Sequence, residues 1–335
     1  MTRAVIARAP TRLDLGGGWT DVPPYPEQEG GAVCAVAITR YATATAALDE
    51  RMARAAGAPR GSPDALTAAA LRRANLPGSV ASVAADYPAS AGLGGSSACG
   101  VALAGALAML RGEALSQGEL AALSRATEVE ELRVPGGYQD HYAAAYGGAL
   151  LLRFTDCVGV EPLALSDATA EQFVRRGVVL YTGESRVSGE IVAAVRDAYV
   201  AGDPRTTAAL ARMKTLAIEM ADTLRAGDLD GLGALLHEHW VHQRALHSRI
   251  TTPKIETIVG TALRCGAIGV KALGASGGGC VLAIAEEGRE EELAEALAPL
   301  GERLRYDIDR DGFQIVAVLD ESHVETSRDE GGSDR

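Results

Sequence analysis

Apolar and polar positions along this chain change period several times, and each change marks an element. Ala4 to Arg8 and Ala32 to Ala47 are runs of small and β-branched residues that read as strands. The polar, Pro-rich loop Gly16 to Gly31 separates them. Pro63 to Ala74 carries helical spacing, and Ser79 to Ala85 reads as a strand. From about Ser96 a small-residue helix runs to about Leu110, and another runs from Ser116 to about Glu131. The turn Val134-Pro-Gly-Gly-Tyr138 precedes a helix over Gln139 to about Tyr146, and Gly147-Gly148 breaks it before the strand Ala149 to Phe154.

A second block opens with the strand Val178 to Thr182. Helices are expected at about Ser188–Ala201, Thr206–Ala226, Leu229–Leu246 and Pro253–Cys265. Val270 to Leu273, the loop Gly274 to Gly279 and the strand Cys280 to Ala285 follow. A helix at Arg289–Leu300 and a last strand at Gln314–Val318 close the block. The pattern predicts a mixed α/β (α+β) chain of two domains, residues 1–170 and 171–326. The charged, Gly/Ser-rich tail 327–335 is expected to be disordered.

Composition narrows the function classes. At 335 residues and 47% hydrophobic content the chain can fill packed cores, and no apolar run is long enough to span a bilayer. The N-terminus lacks a basic-then-apolar signal pattern, so a cytoplasmic protein is expected. A net charge of −12 argues against nucleic acid or an anionic membrane as main partner. An anionic small-molecule substrate then needs locally placed Arg, Lys or metal. The five cysteines (Cys34, Cys99, Cys157, Cys265, Cys280) form no CxxC pair and sit among small or apolar residues, as buried thiols in a reducing compartment do. His237-Glu-His-Trp-Val-His242 resembles a metal motif but lacks the HExxH spacing, and reads as a polar helix face. The sequence leaves a homodimer open.

The most informative stretch is Tyr87 to Leu110, YPASAGLGGSSACGVALAGALAML, a strand–loop–helix junction rich in Gly and Ser. Gly92, Gly94 and Gly95 allow backbone close to a bulky ligand. A helix starting near Ser96 aims unpaired N–H groups and its positive dipole end at the same point. Ser96 and Ser97 add hydroxyls suited to a phosphate oxygen or a hard cation. The segment is not a Walker loop, because Lys214, Lys254 and Lys271 are the only lysines and none is near. A Gly-rich turn with a serine cap is the alternative reading.

Four segments lift the phosphate reading: Ala9-Pro-Thr-Arg-Leu-Asp-Leu-Gly-Gly-Gly-Trp-Thr-Asp21, Gly92–Ser97, Glu128 through Gly136-Gly-Tyr-Gln-Asp140-His-Tyr142, and Lys271-Ala-Leu-Gly-Ala-Ser-Gly-Gly-Gly279. In this order they resemble the GHMP kinases over about Ala4 to Val318. The resemblance implies two domains, a ribosomal-protein-like N-terminal ATP-binding domain and a ferredoxin-like C-terminal one, with ATP and Mg²⁺ as cofactors. Arg12 to Asp21, Gly136 to Gly148 and Ile250-Thr-Thr-Pro-Lys-Ile-Glu256 look like the branch that phosphorylates D-glycero-D-manno-heptose 7-phosphate at C1. The Gly-Gly-Trp-Thr-Asp-x-Pro-Pro stretch is also similar to L-fucokinase. A catalytically silent sugar-binding regulator is the reading from another class.

The same resemblance implies site roles. Asp140 is the candidate base and Arg12 its cationic partner; an Arg12–Asp14 surface pair is the bland alternative. Gly92, Leu93, Gly94, Gly95, Ser96 and Ser97 would cradle the nucleotide phosphates, and Ser96 with Glu128 would hold Mg²⁺, with Ser97 as the other candidate hydroxyl. Asp21, Trp19, Thr20, Gly137, Gly277 and Gly278 would line the sugar pocket, Trp19 as an apolar wall beside the sugar or, alternatively, as a ring packed under its own loop. Arg186, Arg244 or Lys271 would bind a sugar phosphate, a task suited to charge-assisted donors.

Overall fold

A computed structural model describes residues 4–58, 62–184 and 189–320. In chain order the elements are β1 (Ala4–Gly16), α1 (Tyr25–Glu29), β2 (Gly31–Ala47), α2 (Glu50–Ala55), α3 (Ala65–Ala74), β3 (Val80–Ala85) and α4 (Gly95–Leu110). Next come α5 (Gln117–Ala126), a wide π-helical turn (Thr127–Glu131), α6 (Gln139–Tyr146), β4 (Ala149–Phe154), β5 (Val158–Leu163), α7 (Asp167–Arg176) and β6 (Gly177–Tyr181). The chain continues through α8 (Gly189–Val200), α9 (Pro204–Ala226), α10 (Leu229–Ala245), α11 (Pro253–Arg264), β7 (Ala267–Ala272) and β8 (Cys280–Ala285). It ends with α12 (Glu290–Leu297), β9 (Glu302–Leu304) and β10 (Gln314–Leu319).

Two wholly antiparallel sheets organise these elements. The first runs β10-β1-β2-β4-β5, with β3 also on β2. Strand β2 is long enough to serve two partners: its first half pairs with β4 and its second with β3. A register irregularity opposite Pro10 and Thr11 of β1, where β2 carries the extra residues Thr39 and Arg40, separates those halves and bends β2. Before it Ala7 and Ala9 pack, with Ala42 and Ala44, against the small residues of α4. After it Leu13 and Leu15 join Leu216, Met220 and Leu224 of α9.

The second sheet runs β7-β8-β6-β9. Counted along the chain this is the 4-1-3-2 order of a ferredoxin-like layer, with α8 to α11 in the first crossover. One core cluster holds Leu13, Cys34 and Val36 of the first sheet together with Val179, Leu282 and Ile284 of the second. The two lobes therefore share packed apolar surface.

Several sequence expectations change here. Strand β10 pairs with β1 along Ala4–Arg8, so residues 314–319 belong with the first sheet and not with a block spanning 171–326. Helix α7 itself crosses position 170. The helix expected over Ser116–Glu131 ends at Ala126 and widens into the π turn. Short elements without strong periodicity (α1, α2, β5, α7 and β9) were not anticipated. Cys157 is exposed, and Cys99 and Cys265 are half-buried, so only Cys34 and Cys280 are buried thiols. The tail 327–335 lies outside the described residues.

Candidate active site

The glycine loop meets α4 as the residue order demands. Gly92 and Gly94 have φ of +76° and +73°, a region that L side chains rarely adopt. Gly94 is the N-cap of α4 and offers no side-chain cap, so the first N–H groups of the helix have no side-chain cap. Tyr87 supports the loop from below. Its hydroxyl donates to the Gly95 carbonyl at 2.8 Å, and its ring fills the space a Gly95 side chain would need.

Asp140, in the first turn of α6, sits under this loop. A Cβ at Gly94 would stand 3.2 Å from the Asp140 Cβ and Cγ. Arg12 holds the carboxylate: Nε and Nη2 reach Oδ1 at 2.8 and 2.7 Å, and Nη1 donates to the Gly92 carbonyl at 2.7 Å. Arg12 is 3% exposed and the Asp140 side chain 29%. The cation is sealed while the carboxylate is open on one side, and its Oδ2 has no hydrogen bond among the described residues. The bland Arg12–Asp14 pairing is not made.

A second polar knot lies beside the first turn of α4. Ser96 Oγ donates to Glu128 Oε1 at 2.5 Å. His141 Nε2 lies 3.2 Å from Glu128 Oε2 and 3.3 Å from Ser97 Oγ, with Nδ1 2.9 Å from Ser124 Oγ. Burial works against charge on Glu128, but the bonds from His141, Ser96 and Ser97 outweigh it and hold the carboxyl below its usual range. Ser96 and Glu128 thus present hard oxygens side by side, a fit for a small divalent cation that keeps several waters. Ser97 is buried and turned to His141. No group of three or more acidic, His or Cys side chains forms a metal cage among the described residues.

The other expected residues are placed as follows. Asp21 is buried, and Oδ2 accepts from the backbone N–H groups of Tyr138 and Gln139 at 2.8 and 2.9 Å. It fixes the start of α6, and a Cβ at Gly137 would fall 2.0 Å from its Oδ2. Burial, more than the nearby Asp140 charge, pushes the Asp21 carboxyl up to about 6. Thr20 is buried and bonds the Gly17 and Ala32 carbonyls. Trp19 packs into the second lobe with Val192, Val195 and Leu210; its ring is a structural wedge, not an open wall.

Gly277 bonds Ile250 through its N–H, and a Cβ at Gly278 would crowd the Glu184 carbonyl at 2.7 Å. This third glycine loop packs backbone to backbone on the first: a Cβ at Gly92 would meet the Leu273 carbonyl at 2.8 Å, and Cys280 N donates to the Ala91 carbonyl. Arg244 is exposed and pairs with Glu256 at 3.3 Å. Arg186 lies outside the described residues. Lys271 is not an open cation at all: it is wholly buried against Asp14 at 2.9 Å. The His237–His242 helix face is also not polar throughout. His239 and Trp240 are buried, and His239 Nε2 accepts from Gly17 N at 2.9 Å.

Sequence reasoning missed His141, Ser124, Tyr87 and Asp14. His141 directly follows the candidate base, and that adjacency was the available signal. Tyr87 bonds Gly95 only eight residues on, at the end of the same loop, whereas the partners of Ser124 and Asp14 come from other segments and leave no local trace.

Fold and site together define a two-lobed α+β protein built around a glycine loop, a capless helix start and an arginine-held carboxylate. The N-terminal domain of the GHMP kinases matches residues 64–148, and the C-terminal domain of GHMP kinases matches residues 220–301. The chain is 32% identical over 244 residues to a mevalonate kinase of Pyrococcus horikoshii, covering 71% of this chain and 68% of the relative. The protein belongs to the GHMP kinase family. It is also 29% identical over 214 residues to the D-glycero-alpha-D-manno-heptose 7-phosphate kinase of Campylobacter jejuni, covering 63% of this chain and 62% of that protein. Another relative is the L-fucokinase/L-fucose-1-P guanylyltransferase of Bacteroides fragilis, 26% identical over 84% of this chain and 35% of that longer protein. The chain thus spans less than two thirds of these last two relatives. Among solved structures, a D-glycero-D-manno-heptose 1-phosphate kinase from Bacteroides thetaiotaomicron shares the fold, with a TM-score of 0.73 at 24% identity. That match covers 94% of this chain and 100% of that one.

Proposed function

We propose that this chain is an ATP-dependent sugar kinase that phosphorylates the C1 hydroxyl of D-glycero-D-manno-heptose 7-phosphate, giving the 1,7-bisphosphate. The observation that carries the kinase chemistry is Asp140, fixed by Arg12 directly beneath Gly94. Phosphoryl transfer asks a protein mainly for positioning and charge neutralisation. The loop Gly92–Ser97 and the start of α4 would take the nucleotide phosphates through backbone N–H groups. Asp140, with Oδ1 occupied by Arg12, would accept the proton of the attacking hydroxyl at Oδ2. Arg12 fixes that carboxylate's orientation and adds positive charge next to the phosphoryl path. Ser96 and Glu128 would hold Mg²⁺, which supplies neutralisation of phosphate charge when bound.

The heptose reading rests on the likeness to the Campylobacter jejuni relative. The likeness to the Bacteroides fragilis relative favours L-fucose as the second reading. Asp21, buried under the start of α6, would shape the sugar pocket by fixing the backbone of Tyr138 and Gln139. For the 7-phosphate, Arg244 is the described candidate with a solvent-reaching head, and Arg186 is the other. A coupled assay with ATP against heptose 7-phosphate, free heptose, L-fucose, galactose and mevalonate tests the proposal. Turnover highest with heptose 7-phosphate is expected. Preference for an unphosphorylated sugar would move L-fucose ahead, and silence with every acceptor would leave the sugar-binding regulator.

A further inference from the structure

Asp14 and Lys271 form the deepest ion pair among the described residues, at 2% and 0% side-chain exposure, and the sugar-kinase chemistry makes no direct use of either. Lys271 stands on β7 of the second sheet and Asp14 on β1 of the first, so the pair crosses the seam between the lobes. Lys271 Nζ lies 2.9 Å from Asp14 Oδ2 and donates to the Asp14 carbonyl at 2.5 Å. Asp14 alternates with Leu13 along β1 and therefore shares a strand face with Arg12, two residues earlier. Four charges alternate in sign across this region: Asp140, Arg12, Asp14 and Lys271. The other titratable groups that face it are His239 of α10, Cys34 of β2 and Asp21.

The order of the charges sets a competition. Arg12 has two carboxylates within its electrostatic reach, yet both of its carboxylate bonds go to Asp140 Oδ1. Lys271 neutralises Asp14 at Oδ2, and the buried Oδ1 is left without a hydrogen-bond partner, an acceptor that Arg12 does not take while that charge is balanced. Burial opposes charge on Asp14, but Lys271 first and Arg12 second hold its carboxyl below the usual range, while burial draws the Lys271 ammonium below its own usual range against the pull of Asp14. Lys271 also lies three residues before Gly274, whose loop rests on Gly92. The same side chain therefore ties the third glycine loop to the strand that carries Arg12.

We propose that Lys271 is a positioning residue: by neutralising Asp14 across the lobe seam, it keeps the Arg12 guanidinium committed to Asp140. The role rests on the kinase reading above and deepens it. It also replaces the expectation that Lys271 binds a sugar phosphate, since an ammonium sealed in this way cannot reach one.

The test is a charge-removal cycle in the full chain: Lys271→Met, Asp14→Asn and the double variant. With Lys271→Met, the bared Asp14 carboxylate draws Arg12 away from Asp140. Turnover should fall at least about tenfold, and the acid limb of kcat/KM should move up by about one pH unit or more, because the base has lost its cation. The KM for ATP should stay within about twofold, since the loop backbone is untouched. Asp14→Asn leaves no competing carboxylate, so its acid limb should stay in place whatever its stability. The double variant should regain at least a third of wild-type turnover, roughly, with the wild-type limb restored.

An unmoved limb in Lys271→Met, or a double variant no better than that single one, overturns the proposal. If Lys271→Met does not fold, the double variant decides alone: recovered turnover upholds the role and continued silence refutes it. A double variant that turns over but loses affinity for the phosphosugar would return Lys271 to substrate binding. Should the wild-type chain phosphorylate no sugar, the kinase reading fails separately. Thermal melts of the same four proteins then judge the pairing: a double variant more stable than Lys271→Met upholds it, and additive losses refute it.

Discussion

Two ion pairs on one strand show how the same chemistry serves different ends. Arg12–Asp140 and Lys271–Asp14 each join a buried cation to a carboxylate, and their β1 members lie two residues apart. In the first pair the carboxylate comes from a helix start under the glycine loop and remains 29% exposed. In the second it comes from near the end of strand β1 and is 2% exposed. An open carboxylate can exchange a proton with a ligand; a sealed one can only hold its neighbours. What separates them is the element that presents the acid. The first turn of α6 faces the gap where α4 begins, whereas β1 is covered on both sides.

The largest effect expected from breaking this contrast is in Asp140→Asn. The amide keeps an acceptor for Arg12 but cannot take a proton. The turnover number should fall by about 10²–10⁴-fold while ATP affinity measured by calorimetry is kept. Retention of more than about a tenth of wild-type turnover would show that the open pair is as structural as the sealed one.

Arg244 supplies the third context, an exposed pair with Glu256. Such a pair contributes on the order of 0–1 kcal/mol to folding, so the melting temperature of Arg244→Ala should barely move. If its head serves the 7-phosphate, the KM for that sugar should rise roughly ten- to a hundredfold with the KM for ATP unchanged. Steady-state kinetics with both substrates reads this directly, and an unchanged sugar KM would pass the role to Arg186 or remove the 7-phosphate reading.

Asp21 is the smallest and most specific case, a buried carboxyl with two backbone donors and no cation bonded to it. Burial raises it to about 6. The folded protein therefore binds this proton more tightly than the unfolded chain does. Its loss between about pH 4 and 6 costs stability, on the order of 2–3 kcal/mol, and the cost persists at higher pH. Asp21→Asn cannot ionise, so across that interval the wild type's unfolding free energy in urea should fall relative to that of Asp21→Asn. Equal pH slopes in the two proteins would mean that burial does not raise the Asp21 carboxyl in the fold.

Much of this protein was legible in the sequence, because the physical reasons were local. Glycines at 92 and 94 with serines at 96 and 97, placed between a strand and a helix, dictate a close backbone approach and a capless helix start whatever lies around them. The periodicity of Gln139–Tyr146, Pro253–Arg264 and Cys280–Ala285 fixed those elements to within about a residue. The motif order placed the chain among the GHMP kinases before any contact was known. Charge state and side-chain orientation were decided by the tertiary structure alone. Lys271 reads as a free cation until β7 is laid against β1, and His239 and Trp240 read as polar until α10 is packed beneath Gly17. Strand β10 reads as part of the second lobe until β1 supplies its partner. Burial and long-range pairing are properties of which segments meet, and one chain's local spacing carries no record of that. A carboxylate's function here follows from whether water still reaches it, and only the folded lobes determine where water remains.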